Sequence, residues 1–289
     1  MLQIGTLPPV ISEIENETTD RFGNVLPTII ITPEAPDTNW KARDFSDAFL
    51  SAHSAPASYE TDIIQLCEDL DSAGTLSKFL WLAPYVGGNA ADHALNLRYP
   101  FAKGGQMAQY TGTPTHHDSV NTALEFIQGG SGIYAVCGIS LSMLSSTDFS
   151  MGLYSLDTAI DTAADIEMYL SSSTGDNSFW LNSHASLGSS CAWSNAAYGN
   201  KLQFTPTDAS GQFDCVLSGS RKAVFRNGVQ LVSDTSNLGF AATQFDNLKY
   251  LLSSRRIGMH YVAEHFSDTE LANNYTIFQA FHTARGRNV

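Results

Sequence analysis

The most metal-like string in the sequence is His116-His117-Asp118, because imidazole and carboxylate are the groups that zinc and other divalent ions take as ligands. Neighbouring residues of an extended segment project to opposite sides, so the two rings do not close on one ion. Two ordinary loop histidines are therefore expected. Asp165-Ile166-Glu167 sets two acids on one face of a strand. A glycosidase needs such a pair, one group to protonate the leaving oxygen and one to attack or activate water. With no partner signal on a neighbouring strand, a solvated face is expected there. The sequence contains no G-x-S-x-G elbow, no phosphate-cradling glycine loop and no H-E-x-x-H. No catalytic residue is assigned, and the chain is expected not to be an enzyme.

A binding site for sugar needs aromatic rings to stack on the sugar face, with amides and hydroxyls to bond its oxygens. The stretch from Phe179 to Tyr198 offers both. Within it Trp180, Asn182, His184, Trp193, Asn195 and Tyr198 form the candidate glycan-binding set. The competing reading makes Trp180 a core residue and Trp193 a loop anchor. No cofactor is expected, although loop aspartates such as Asp157, Asp161 and Asp176 have the hard oxygen donors that calcium takes. Cys67, Cys137, Cys191 and Cys215 are widely spaced with no C-x-x-C, which predicts buried free thiols.

These groups sit in a chain of 289 residues, 43% hydrophobic and 15% charged, with 22 glycines, the composition of a folded, turn-rich protein. A formal net charge of -14 repels phosphate backbones, and Arg221-Lys222 and Arg255-Arg256 are only pairs, so nucleic acid is disfavoured as a partner. The N-terminal stretch lacks the basic and apolar regions of a signal peptide. No run approaches the ~18 apolar residues of a spanning helix, so no membrane insertion is expected.

Residues 1–44 read as an extended arm, with Pro8, Pro9, Pro27, Pro33 and Pro36 breaking any helix around the β-branched run Thr28 to Thr32. Such an arm is either a flexible leader or a strap that orders against a neighbouring subunit. Residues 45–90 read as a small helical module. Phe45, Phe49 and Leu50 share one helical face, and Ile63, Leu66, Cys67 and Leu70 another, with Ser58 and Gly74 as end signals. A third short amphipathic helix is expected over Leu76 to Leu82. Residues 91–289 change to period 2 and read as a β-sandwich of many short strands. In AVFRNGVQLV, Asn227-Gly228 supplies the positive φ angles of a type I′ hairpin. Ser267-Asp268-Thr269-Glu270 is a capping box opening a final helix, whose Leu271, Tyr275 and Phe278 should lie on the sheet. The fold class expected is mainly β.

The order strand, RNG hairpin, RRIGMHYVAEHFSDTELANNY and terminal helix resembles the laminin-G/concanavalin A-like jelly rolls over about residues 115–289. That resemblance implies a lectin-like sandwich. It implies no single function, since the scaffold carries lectins, glycosidases, adhesion modules and spacers alike. The E-x-D-x-E signature of the jelly-roll glucanases is absent.

A second resemblance covers more of the chain. The pattern "W-x-K…YPFVGG…H-x-x-NL", a jelly roll, and a final GRNV looks like that of bacteriophage virion proteins of the tail-fibre and appendage class. It is carried by Lys78, Pro84, Tyr85, Val86, Gly87, Gly88, His93, Asn96, Leu97, Gly286, Arg287, Asn288 and Val289, with Leu76 in place of the tryptophan and APYVGG in place of YPFVGG. It implies a virion structural protein, a tail- or collar-associated appendage assembled as a homo-oligomer in the host cytoplasm. The arm would join it to other virion proteins, and the sandwich would serve assembly or adhesion to a host-surface glycan. A head-decoration or head-fibre protein and a free carbohydrate-binding module are the alternatives. From the residues alone, GRNV reads as a packed C-terminus and APYVGG as a turn joining two modules.

Overall fold

A computed structural model describes residues 18–19, 25–26, 41–53, 56–98, 109–117, 126–128, 134–137, 148–158, 168–171, 177–181, 189–195, 200–204, 208–219, 221–235, 247–251, 255–287 and 289. The chain divides into two compact units, Met1–Thr38 and Asn39–Val289. In the first, β1 (Thr18–Thr19) pairs with β2 (Val25–Leu26) in an antiparallel ribbon.

The second unit has three layers. An antiparallel sheet runs in the order β12 (Asn200–Phe204), β11 (Ser189–Asn195), β10 (Asn177–Leu181), β9 (Met168–Ser171), β16 (Asn247–Leu251), β7 (Tyr134–Cys137), β4 (Gln109–Thr111). Facing it is a sheet in the order β15 (Val229–Asp234), β14 (Arg221–Arg226), β13 (Gly211–Ser218), β8 (Asp148–Ser155), β17 (Ile257–Glu264), β6 (Phe126–Gln128), β5 (Thr115–His117). There β3 (Phe79–Ala83) also pairs with β17. Helices α1 (Ala42–Ala52), α2 (Glu60–Ser72) and α4 (Asp268–Ala284) supply the third layer, with a single turn, α3 (Ala90–His93), following β3. The β-sandwich expected from period 2 is the fold.

Two cores result. Met168, Leu181 and Leu202 from the first sheet meet Met151, Leu153, Phe213, Cys215 and Val224 from the second. On the other face of the second sheet, Tyr154, Val216, Phe225 and Tyr261 meet Phe49, Ile63, Leu66, Leu70, Leu271 and Phe278 of the helices. A sheet covered on both sides needs apolar residues at both parities, and the central strands β8, β13 and β17 are buried along nearly their whole length. Residues of the helices and of the second sheet contribute to one core. The register of β17 slips between Ile257 and Met259, so Ile257 faces the inter-sheet core while Met259 faces the helices. Gly258 sits in that slip, where an added Cβ would lie 3.0 Å from Cε1 of His282.

Local signals translated as follows. Asn227 and Gly228 have φ of 51° and 74°, as a type I′ turn requires. The Ser267 capping box is formed in both directions, and Leu271 and Phe278 are buried. Both α1 and α2 bury the faces read from their spacing. Ser58 is not the cap of α2. Tyr59 holds that position without a side-chain bond, and the Ser58 carbonyl instead accepts from Arg285 at 2.7 Å. The helix expected over Leu76 to Leu82 is instead a 3₁₀ turn, Leu76–Lys78, leading into β3. Phe79 through Ala83 are all buried, the continuous apolar run of a strand covered on both faces.

Candidate functional site

The sequence-derived glycan set falls on β10 and β11. Trp180 is opposite Tyr169 on β9 and Ala192 on β11, while Trp193 is opposite Phe179 and Asn200, and Asn195 opposite Asn177. Directly opposed residues share a face and successive residues alternate. Trp193 and Asn195 thus occupy positions with the parity of Leu181, which is buried in the inter-sheet core, and Trp180 occupies the opposite parity. The register brings the two tryptophan positions to adjoining strands but to opposite faces. Asn182, His184 and Tyr198 lie outside the described residues, as do Asp118, Asp161, Asp165, Glu167 and Asp176.

The remaining candidates have structural partners. Asp157 accepts from the backbone N–H of Arg256 at 2.8 Å and from its Nε at 2.6 Å, so its carboxylate is committed to an ion pair. Cys67 and Cys215 are free and buried, and burial pushes the Cys67 thiol far up. His116 and His117 diverge as extended neighbours must. His117 stacks on Phe126 with ring centroids 4.1 Å apart, while His116 meets His93 and Tyr110. Among the described residues no group of three or more His, Cys, Asp or Glu is placed to hold a metal ion, and no helix is long and apolar enough to cross a membrane.

Several residues that carry the appendage resemblance lie where the end of α4 meets the segment after β3; Asn288 lies outside the described residues. Gly286, at φ 66°, ends α4: its N–H donates to the Thr283 carbonyl at 3.0 Å, and that of Arg287 to the His282 carbonyl at 2.7 Å, which is a Schellman closure. The reversal turns Arg287 inward until it is 1% exposed. Its guanidinium donates to the carbonyls of Tyr85 at 3.0 Å, Pro84 at 3.1 Å and Gly258 at 3.3 Å. Tyr85, in the left-handed region at φ 41°, hydrogen bonds through its hydroxyl to Nδ1 of His260 at 2.7 Å. Asn96 accepts from the N–H groups of Leu82 and Arg98 and donates to the carbonyl of Leu80 at 2.9 Å, which staples this segment to β3. Gly87 has φ of 98°, and a Cβ there would strike the carboxylate of Asp92. Lys78 bonds Glu270 at 2.5 Å, tying the turn before β3 to the first turn of α4.

Two polar pairings could not be read from spacing, because Asp214 and Tyr261 lie 47 residues apart and His93 and His116 lie 23 apart. In the helix-facing side of the second sheet, Oδ1 of Asp214 accepts from the Tyr261 hydroxyl at 2.5 Å and from Nε2 of Gln212 at 2.8 Å. Desolvation pushes its carboxyl up to about 7, against the opposing pull of those two donors. Gly152 on β8 leaves the room for this, since a Cβ there would lie 2.5 Å from Asp214 Oδ1. The second pairing is that of the His93 and His116 rings, with Nδ1 atoms 3.0 Å apart.

No family model matches the chain, and no curated protein matches it. Among solved structures, domain 4 of an extracellular arabinanase from Geobacillus stearothermophilus, in complex with arabinotriose, is similar with a TM-score of 0.49 at 9% identity, covering 68% of this chain and 98% of that one. A botulinum neurotoxin type C structure, whose description makes cell entry dependent on two ganglioside molecules, gives 0.48 at 7% identity over 72% of this chain and 53% of that one. The chain thus spans about half of that structure's length. The CBM40 of the Ruminococcus gnavus IT-sialidase, bound to α2,6-sialyllactose, gives 0.36 at 14% identity over 45% of this chain and 84% of that one. These likenesses assign no ligand to this chain.

Proposed function

We propose that the chain is a structural protein of a bacteriophage particle, an appendage of the tail-fibre, tail or collar kind, with a lectin-like sandwich that serves assembly or adhesion. The observation that carries this reading is the convergence of its motif residues. Pro84 and Tyr85 from one end of the second unit and Arg287 from the other meet at one buried junction, with the His93 ring 5.4 Å from that of Tyr85 and Gly286 turning Arg287 inward. A resemblance spread over strings that hold one another in place reflects a shared way of closing the fold. Residues 1–44 are the attachment element in this reading, and symmetric homo-oligomerisation is the usual state of such proteins. A head-decoration role has the same physics and another address. The test is mass spectrometry and immunogold microscopy of purified particles: label at tail or collar supports the appendage, label over the shell favours decoration, and absence from particles overturns both.

A carbohydrate-binding module is the second reading, favoured by Trp180 at a position of outward parity on the first sheet. Glycan binding by the isolated chain, with no particle association, would favour it.

A further inference from the structure

His93 and His116 join two segments that are 23 residues apart in the chain. His116 lies on β5, at the end of the second sheet's order; among the described residues it pairs with β6 over Thr115 to His117, and β6 meets β17 at the register pair Ile257 and Ile127. His93 closes α3, in the stretch that runs from β3 to Arg98.

The hydrogen bonds fix where the protons are. The N–H of Gly88 donates to Nε2 of His93 at 3.2 Å, so that nitrogen carries a lone pair and the ring proton of neutral His93 is on Nδ1. That Nδ1–H points at Nδ1 of His116, 3.0 Å away, which must then accept, leaving the His116 proton on Nε2. Each ring can take a second proton only by breaking one of these bonds. A proton on His116 Nδ1 faces the Nδ1–H of His93, and a proton on His93 Nε2 faces the Gly88 amide.

We propose that His93 and His116 form an acid-opened latch, closed when both rings are neutral, that fastens the β4–β5 corner to the segment after β3. The surroundings favour neutrality. Around the pair stand His53 from the end of α1, His117 on β5, Tyr110 on β4, Tyr85 before α3 and Arg287, with His260 on β17 beyond Tyr85. The nearby anion, Asp92, takes a hydrogen bond from Asn89 Nδ2 at 2.5 Å. Desolvation holds His93 well below the usual imidazole range, with the charge of His116 adding to it, and desolvation lowers His116 as well, with His117 adding there. A histidine whose folded pKa is depressed binds more protons when released. Closure is therefore complete above the free-imidazole value of ~6.5 and weakens as pH falls below it, by about tenfold in the opening equilibrium per pH unit for each ring.

Hydrogen–deuterium exchange of the full chain, corrected for intrinsic rates, tests this in peptides covering residues 84–98 and 109–117. Opening should rise steeply between pH 6.5 and 5 in both peptides together. In His116→Gln the amide oxygen still accepts from His93 but cannot titrate, so the slope should fall by about tenfold per pH unit. An unchanged slope in that variant, or no rise in the native chain, overturns the latch. Should the variant not fold, long-range ¹H–¹⁵N spectra of the native chain decide: Nδ1–H on His93 with Nε2–H on His116 at pH 7.5 supports it, and any other tautomer pair overturns it.

Discussion

The guanidinium of Arg287 donates to the carbonyl oxygen of Tyr85 across 202 residues of sequence. Tyr85 in turn reaches His260 in β17, so the end of α4, the loop after β3 and a central strand share one polar junction inside an apolar layer. Buried donors of this kind cost most when one side is removed, because the carbonyls they satisfied stay buried.

Arg287→Ala should therefore destabilise the chain by about 2–4 kcal/mol, read as a lower urea midpoint with an unchanged slope. Arg287→Lys should recover only part of this, since one ammonium cannot span three carbonyls with the geometry of a planar fork.

Asp214 gives stability a pH dependence of opposite sense to that of the histidine pair. Its folded pKa of about 7 is raised above the ordinary aspartate value, so its proton stabilises the folded state fully below about pH 4, and that contribution is lost as pH rises towards 7. The full swing is on the order of 4 kcal/mol. Asp214→Asn, which keeps an acceptor for Tyr261 and Gln212, should remove this slope and be more stable than the native chain at pH 8. Urea midpoints at pH 5, 7 and 8 measure it.

Asn227 does two things at the hairpin. It adopts positive φ, and its Oδ1 accepts the N–H of Gln212 at 2.9 Å. Asn227→Ala should cost about 2 kcal/mol in thermal or urea unfolding, from the left-handed strain plus one lost hydrogen bond. Asn227→Gly should cost less, because it relieves the strain.

The register separates the two tryptophans. If the outer face of the first sheet binds sugar, Trp180→Ala should lower signal on a glycan array while leaving the melting temperature close to native. Trp193→Ala, at a position of core parity, should instead lower the melting temperature. Equal glycan losses from both would count against the register assignment.

The role of residues 1–44 has its own readout. Removal of residues 1–38, which leaves α1 and its cap whole, should keep the circular dichroism spectrum of the second unit intact and abolish incorporation into particles. Normal incorporation would sink the attachment reading.

Much of this fold was legible where the signal is local. Helical spacing in α1 and α2, the Asn227-Gly228 turn and the Ser267 box each depend on residues a few positions apart, and each appears as read. The apolar run of β3 misled because a strand covered on both faces has no alternation to distinguish it from a buried helix. The serine-rich β11 and the short β16 carry weak strand signals, and their pairing comes from neighbours. The junction was visible only as separate strings, since Arg287 and the carbonyls it bonds lie 29 to 203 residues apart. Of the candidate glycan set, Trp193, whose competing reading was a loop anchor, lies in β11, and neither tryptophan's face was legible because it depends on strand register.

The distance from Tyr85 to Arg287 also has a meaning in time. At about 5–20 residues per second, a ribosome takes about 10 to 40 s to synthesise the 202 residues between them. The loop and the apolar helices α1 and α2 emerge long before the strands that cover them and the arginine that locks them. For that interval the faces of α1 and α2 that end up buried have no sheet to cover them.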